Sequence, residues 1–119
     1  MSPLSSQIPP HAAPTLVLVR DLLFSSRIAA TARAIGVDVK LMRDPAVLAA
    51  ETARRLIVDL NQPGALDAAV EWKKQSGGEV IGFVAHVDAE TIRRARDAGI
   101  DQVLPRSRFV AVLESLLRG

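Results

Sequence analysis

Residues 54–64 read Arg-Arg-Leu-Ile-Val-Asp-Leu-Asn-Gln-Pro-Gly. A short apolar run ends abruptly in a carboxylate, and Pro-Gly follows almost at once. Apolar runs of this length suit a strand buried on both faces of a sheet. Such strands belong to parallel sheets covered by helices. Asp59 then stands at the carboxyl end of its strand, where open α/β sheets place their ligand crevices.

The rest of the chain alternates in the same sense. Leu16 to Val19 is a strand, and Ser25 to Ile35 is a helix with Ile28, Ala32 and Ile35 on one face, stopped by Gly36. Val37 to Leu41 alternates and suits a strand near an edge. Asp44-Pro45 caps a short second helix, with Pro45 at its tolerated first position. Arg55 to Val58 is the third strand. Leu66, Ala69, Val70 and Lys73 mark a third helix closed by Gly77-Gly78. Val80 to Val84 is the fourth strand. Asp88 caps a fourth helix carrying Ile92, Ala95 and Ala98, ended by Gly99. Gln102 to Leu104 is the fifth strand, and Phe109, Val112, Leu113 and Leu116 make a fifth helix. There is no internal repeat.

Five strands alternating with helices predict an α/β domain of flavodoxin-like type. It is a three-layer sandwich around a five-stranded parallel sheet, with strand order 2-1-3-4-5. Residues 1–14 carry Pro3, Pro9, Pro10 and Pro14 among small polar residues and read as a disordered tail. The domain proper then spans 15–119. The strand order gathers Arg20 and Asp21, Asp59, Val84 and Ala85, and Arg106 around one crevice.

Composition narrows the function. The chain has 119 residues, no cysteine, 3% aromatics, no tyrosine, and 15 basic against 13 acidic residues. Thiol nucleophiles, thiolate metal sites and disulfides are excluded. A net charge of +2 without stacking aromatics is no nucleic-acid footprint, so no nucleic-acid partner is expected. No apolar run approaches a membrane span and no signal peptide opens the chain, so the expectation is a cytoplasmic protein without a membrane partner.

At these residues the chain resembles the receiver domains of two-component response regulators, over about residues 15 to 118. Val58-Asp59-Leu60-Asn61-Gln62-Pro63-Gly64 is similar to the phosphoacceptor strand and loop. Asp21 falls where receivers hold a metal-binding acid. Ala98-Gly99-Ile100-Asp101 is similar to the Gly-Ala-Asp segment before the fifth receiver strand. Val84 and Arg106 stand at the spacing of the family's hydroxyl residue and lysine. The resemblance implies bacterial-type signal transduction and no catalytic residues in this chain.

The departures shape the functional expectation. Receivers pair two acids after the first strand to hold magnesium, and here the first is Arg20. A guanidinium there repels a cation that needs oxygen ligands. Val84 has no donor for a phosphoryl oxygen. Arg106 replaces the lysine, Ser107 the proline after it, and Val103 the switch aromatic. The site Asp59, Asp21, Arg20, Val84 and Arg106 therefore reads as vestigial, with no metal and no cofactor. The expected function is a pseudo-receiver, a protein interaction module without phosphoryl control. Two alternatives stand beside it: an atypical receiver phosphorylated on Asp59, and a sensor in which Arg20, Arg27 and Arg106 bind a phosphate or nucleotide.

Two arginines near Asp59 admit two readings. Either Arg20 and Arg106 grip the carboxylate, lower its pKa and make its loss destabilising, or Arg20 faces solvent and Asp59 merely caps its loop. The lesser candidates have plain readings. His86 has no second ligand nearby, so a loop histidine is preferred to a metal site. Ser25 and Ser26 precede a helix without a base partner and read as caps. Gly77-Gly78 is a turn and not a phosphate cradle. Arg93, Arg94 and Arg96 on the fourth helix form either a solvated basic face or an interface, with Asp97 or Glu114 of a second chain as counter-charges for a homodimer through the fourth and fifth helices. Trp72 either flanks the core or, half exposed, anchors an interface with a separate protein partner.

Overall fold

The computed structural model describes residues 14–85 and 88–119. His86 and the 1–13 portion of the tail lie outside the described residues. Five strands form one parallel sheet, β1 (Thr15–Leu18), β2 (Val39–Met42), β3 (Arg55–Asp59), β4 (Glu79–Val84) and β5 (Gln102–Pro105), in the order β2-β1-β3-β4-β5. The order and the parallel sense are those expected from the apolar runs. Register runs Leu16↔Leu56, Leu56↔Val80 and Gly82↔Val103 across the centre.

Four α-helices cover the faces: α1 (Leu22–Ala34), α2 (Ala65–Ser76), α3 (Ala89–Asp97) and α4 (Arg106–Arg118). The short helix after β2 is a 3-10 segment, Pro45–Ala50. Six residues cannot sustain more than a tight turn or two. Asp44 caps it as expected, accepting from the Ala46 N–H at 2.9 Å. The fourth and fifth helices of the sequence reading are thus α3 and α4.

Alternation along the strands sorts the core into two layers. Leu16, Leu18, Leu56, Val58 and Val80 face Ala65, Leu66, Ala69 and Trp72 of α2. Val17, Ile57, Ile81 and Phe83 face Phe24 and Ile28 of α1 and Phe109, Leu113 and Leu117 of α4. Each fully buried Leu or Ile contributes roughly 1.5–3 kcal/mol. Three phenylalanines make one aromatic knot on the second face, with Phe83 and Phe109 stacked at 4.8 Å and Phe24 tilted at 5.1 Å from Phe83.

Of the two readings of Trp72, the residue packs with the core, and the half-exposed interface anchor is corrected. Trp72 is 2% exposed, and its Nε1–H donates to the Glu51 carbonyl at 3.0 Å. The indole ties α2 to the end of the 3-10 segment and offers no anchor to a partner. The first helix also starts earlier than Ser25. Asp21 is its cap, accepting from the Leu23 and Phe24 N–H groups at 3.0 and 3.2 Å. Ser25 is buried, and its hydroxyl donates to the Leu22 carbonyl at 3.2 Å.

Candidate functional site

The carboxyl ends of β1, β3 and β4 and the β5–α4 junction meet at one edge of the sheet. Asp59 is the last residue of β3 and is partly buried. Its Oδ1 accepts from the Asn61 N–H at 2.9 Å, closing a tight turn over the strand end. Asn61 reaches on: its Oδ1 accepts from the Ala85 N–H at 2.7 Å. One turn therefore holds the Asp59 loop and the loop after β4 together. The Asp-x-Asn pattern carried this signal, and sequence reasoning passed over it.

Arg106 is the first residue of α4, directly after Pro105. Its Cζ lies 3.9 Å from the centre of the Phe24 ring, and its Nη2 lies 3.8 Å from Asp21 Oδ2. Asp21 thus serves α1 with one oxygen and Arg106 with the other. Arg20 is exposed. Val84 is 1% exposed and stands opposite Pro105.

Of the two readings of Asp59, the gripping pair is corrected: Arg20 is exposed, and Asp59 caps the loop after its strand. Burial holds this carboxyl above its ordinary value of 3.8. The Asn61 N–H and the charge of Arg106 pull it back, while the neighbouring charge of Asp21 adds to the rise. The guanidinium acting on Asp59 is Arg106 at a distance, and the close partner of Arg106 is Asp21. Desolvation outweighs a solvent-screened cation that already serves another carboxylate.

Receiver domains imply magnesium, so the donors decide whether it fits. Asp21 and Asp59 are the carboxylates at hand. Asp21 Oδ1 accepts from two N–H groups, and the Arg106 guanidinium places a positive charge 3.8 Å from its Oδ2. One Asp59 oxygen is taken by Asn61. Among the described residues no three His, Cys, Asp or Glu side chains cluster as a metal site. As arranged, these residues do not fit magnesium, which holds rigidly to an octahedron of oxygens.

The other candidates are dispersed. Arg93 pairs within α3 with Glu90 at 2.7 Å and Asp97 at 3.6 Å. Arg94 pairs with Asp67 of α2 at 3.6 Å, and Glu114 pairs with Arg118 at 2.8 Å. Arg96 is exposed. The counter-charges expected from a second chain are thus met within this one. Among the described residues no helix is long and apolar enough to cross a membrane.

No protein-family model matches the sequence, and no curated protein matches it. Solved structures do. A CheY-like receiver domain from Methanospirillum hungatei JF-1 superposes with a TM-score of 0.72 at 16% identity, covering 87% of this chain and 92% of that one. The receiver domain of the Francisella response regulator 1452 gives 0.70 at 16% identity, covering 88% and 96%. The phosphorylated cyanobacterial phytochrome response regulator RcpA gives 0.70 at 16%, covering 87% and 91%. With its sheet order, its helix placement and these neighbours, the chain has the fold of the response-regulator receiver domains.

Proposed function

We propose that this chain is a non-catalytic pseudo-receiver, a protein interaction module in signal transduction that works without phosphoryl control. One observation carries the reading. Arg106, at the position of the receiver lysine, lies over the Phe24 ring with its Nη2 3.8 Å from Asp21, so the cation that would serve a phosphoryl group is engaged by the first helix. Val84, buried and without a donor, supports the same conclusion. The site then acts as a fixed clasp among β1, α1 and α4, and the surface it stabilises is the functional part.

The runner-up is an atypical receiver phosphorylated on Asp59. It draws support from the carboxylate itself, which is partly exposed and has its second oxygen outside the Asn61 turn. A small-anion sensor using Arg20, Arg27 and Arg106 is weakened by the commitment of Arg106. A homodimer through α3 and α4 is weakened by the internal pairing of Arg93, Arg94 and Glu114.

The test is a nuclear magnetic resonance titration of the labelled chain with magnesium and beryllofluoride. The spectrum should stay unchanged. A second set of amide signals that vanishes in Asp59→Asn would establish the runner-up.

A further inference from the structure

The β2 edge of the sheet is open, because β2 bonds only to β1. The carbonyls of Asp38 and Met42 accept from the N–H groups of Thr15 and Val19, each at 3.0 Å. Backbone groups alternate sides along a strand, so the N–H and C=O of Val39 and of Leu41 point away from β1. Leu41 is 44% exposed, and Val47 on the 3-10 segment that follows is 45% exposed. On the α1 side, a cavity of about 260 Å³ is lined by Ala29, Val37, Val39 and Leu41 together with Arg33 and Asp38. The edge thus carries unpaired backbone beside uncovered carbon.

Proteins protect such edges with proline, bulges or charge, lysine above all. Residues 38–42 read Asp-Val-Lys-Leu-Met, with no proline and no glycine. Lys40 is the residue placed to repel another strand, and it is neutralised. Its Nζ donates to the two Glu51 oxygens at 2.9 and 2.8 Å. The charges that flank the strand have opposite signs, Asp38 before it and Arg43 after it. A strand with one sign at each end matches a reversed copy of itself.

We infer that β2 pairs antiparallel with β2 of a second copy of this chain, joining the two sheets across a two-fold axis at Lys40. Val39 of each copy stands opposite Leu41 of the other, and the two exchange both backbone bonds. This register satisfies every outward N–H and C=O of Val39 and Leu41. It also lays Leu41 against Val39 twice, on the α1 face. Lys40 faces its own copy, each held by its own Glu51, so neutral ion pairs meet there. Reversal brings Arg43 of one copy to the Asp38 end of the other. An in-register parallel pairing would set Asp38 beside Asp38 and Arg43 beside Arg43. An axis at Leu41 would set Val39 against Arg43, whose carbonyl already accepts from Gln62 Nε2 at 2.6 Å. The pairing uses none of the residues around Asp59 and stands whether or not Asp59 is phosphorylated.

The chain has no cysteine, so single cysteines report the register. The pair at the axis is not hydrogen-bonded and holds its Cα atoms about 4.5 Å apart, within disulfide reach. In the full chain under mild oxidation, Lys40→Cys should form a disulfide dimer readily. Leu23→Cys, at a side chain 87% exposed and remote from the edge, should cross-link far more slowly. Sedimentation of the unaltered chain over a range of concentrations should show a monomer–dimer equilibrium. Leu41→Lys should weaken it about tenfold, because the two-fold counts the lost contact twice, and Arg96→Gln should leave it unchanged. Circular dichroism checks that each variant folds. Equal cross-linking at Leu23 and Lys40 reports random collision and overturns the pairing. A dimer indifferent to Leu41→Lys puts the interface elsewhere and overturns it as well. A monomer at every concentration leaves the edge to some other strand and has the same consequence.

Discussion

Arg106 holds its guanidinium 3.9 Å from the centre of the Phe24 ring while its Nη2 stands 3.8 Å from Asp21. The ring is the stronger partner. The Asp21 pair is long and both side chains are partly exposed, so it contributes little. A cation over an aromatic face contributes about 0.5–1 kcal/mol or somewhat more when partly desolvated. Arg106→Ala should therefore cost about 1 kcal/mol in urea melts, and Arg106→Lys less, because the charge stays while the planar overlap is lost. High salt should remove only a minor share. An alanine variant as stable as the parent would show that the clasp is not formed in solution.

Asp59 should be a stability cost at neutral pH. Its folded pKa lies above the ordinary 3.8, chiefly because burial disfavours the charge. The folded state therefore binds the proton more tightly than the unfolded state does. Stability contributed by this group is fully present below the unfolded value and is lost as pH rises through the window up to the folded value. Asp59→Asn keeps an acceptor for the Asn61 N–H and removes the desolvated charge. It should raise stability at pH 7 by roughly a few tenths of a kcal/mol, discounted because the group is half exposed. The gain should shrink as pH falls through the folded value and be gone below the ordinary carboxylate value. Denaturant melts at neutral and acid pH give both numbers, and a clear loss at pH 7 would restore the picture of a gripping arginine pair.

The contrast between these two residues shows what a sequence of this kind tells. The strands were legible because β1, β3 and β4 are buried on both faces, so their apolar runs admit no other reading. The crevice was legible because strand order alone brings Asp21, Asp59, Val84 and Arg106 to one end. Partnership was not legible. Spacing cannot say that Phe24, one turn into α1, comes up beneath Arg106 and competes with a carboxylate for it. Nor can it say that Arg55, first residue of a strand that is apolar from Leu56 to Val58, folds its guanidinium against the end of α4. Trp72 admitted two readings because its neighbours Lys73 and Lys74 suggest surface. Helical geometry turns the next residue away by about 100°, and the indole points inward.

Trp72 is the chain's one tryptophan, so its burial can be read by fluorescence. Emission should be blue-shifted in the native state, insensitive to iodide, and red-shifted on unfolding. Trp72→Ala should cost about 3–5 kcal/mol, the range for emptying a large aromatic site. Trp72→Phe should cost less, though it leaves the Glu51 carbonyl without its donor. Ready iodide quenching in the native protein would put the ring at the surface after all.

Gly82 is required by its neighbour. A Cβ built on it would meet Leu60 Cδ1 at 2.5 Å and Cγ at 2.7 Å. Leu60 is itself buried, 4% exposed, directly after Asp59. It has little room to withdraw without shifting the loop that carries the site. Gly82→Ala should therefore destabilise by about 1–3 kcal/mol through overpacking. Gly82→Ala with Leu60→Ala should fall short of the sum of the two single losses, since the truncated side chain leaves room for the new methyl. Strict additivity in the double-mutant cycle would deny the contact.

Arg55 offers the sharpest division between a local and a global role. Its Nη1 donates to the carbonyls of Leu116 and Leu117 at 2.6 and 3.4 Å, groups that a helix end leaves without partners of its own. Its Nε holds Glu79, whose side chain is 40% exposed. The two partners are unequal. Glu79→Ala removes one acceptor from a buried cation that keeps the helix carbonyls, and the carboxylate it deletes was largely hydrated. That change should cost about 1–2 kcal/mol. Arg55→Leu removes the cation and fills the space with carbon, but it strands the carbonyls at the end of α4. About 2–3 kcal/mol is expected, between a lost charged hydrogen bond and the breaking of a buried pair. Hydrogen exchange tells the mechanisms apart. In Arg55→Leu the amides of the last turn of α4 should lose protection well beyond the global change, because that turn is no longer pinned to β3. In Glu79→Ala they should track global stability. Equal local protection in both variants would mean that the helix end is held by packing of Leu113 and Leu117 alone, and that the guanidinium merely lies against it.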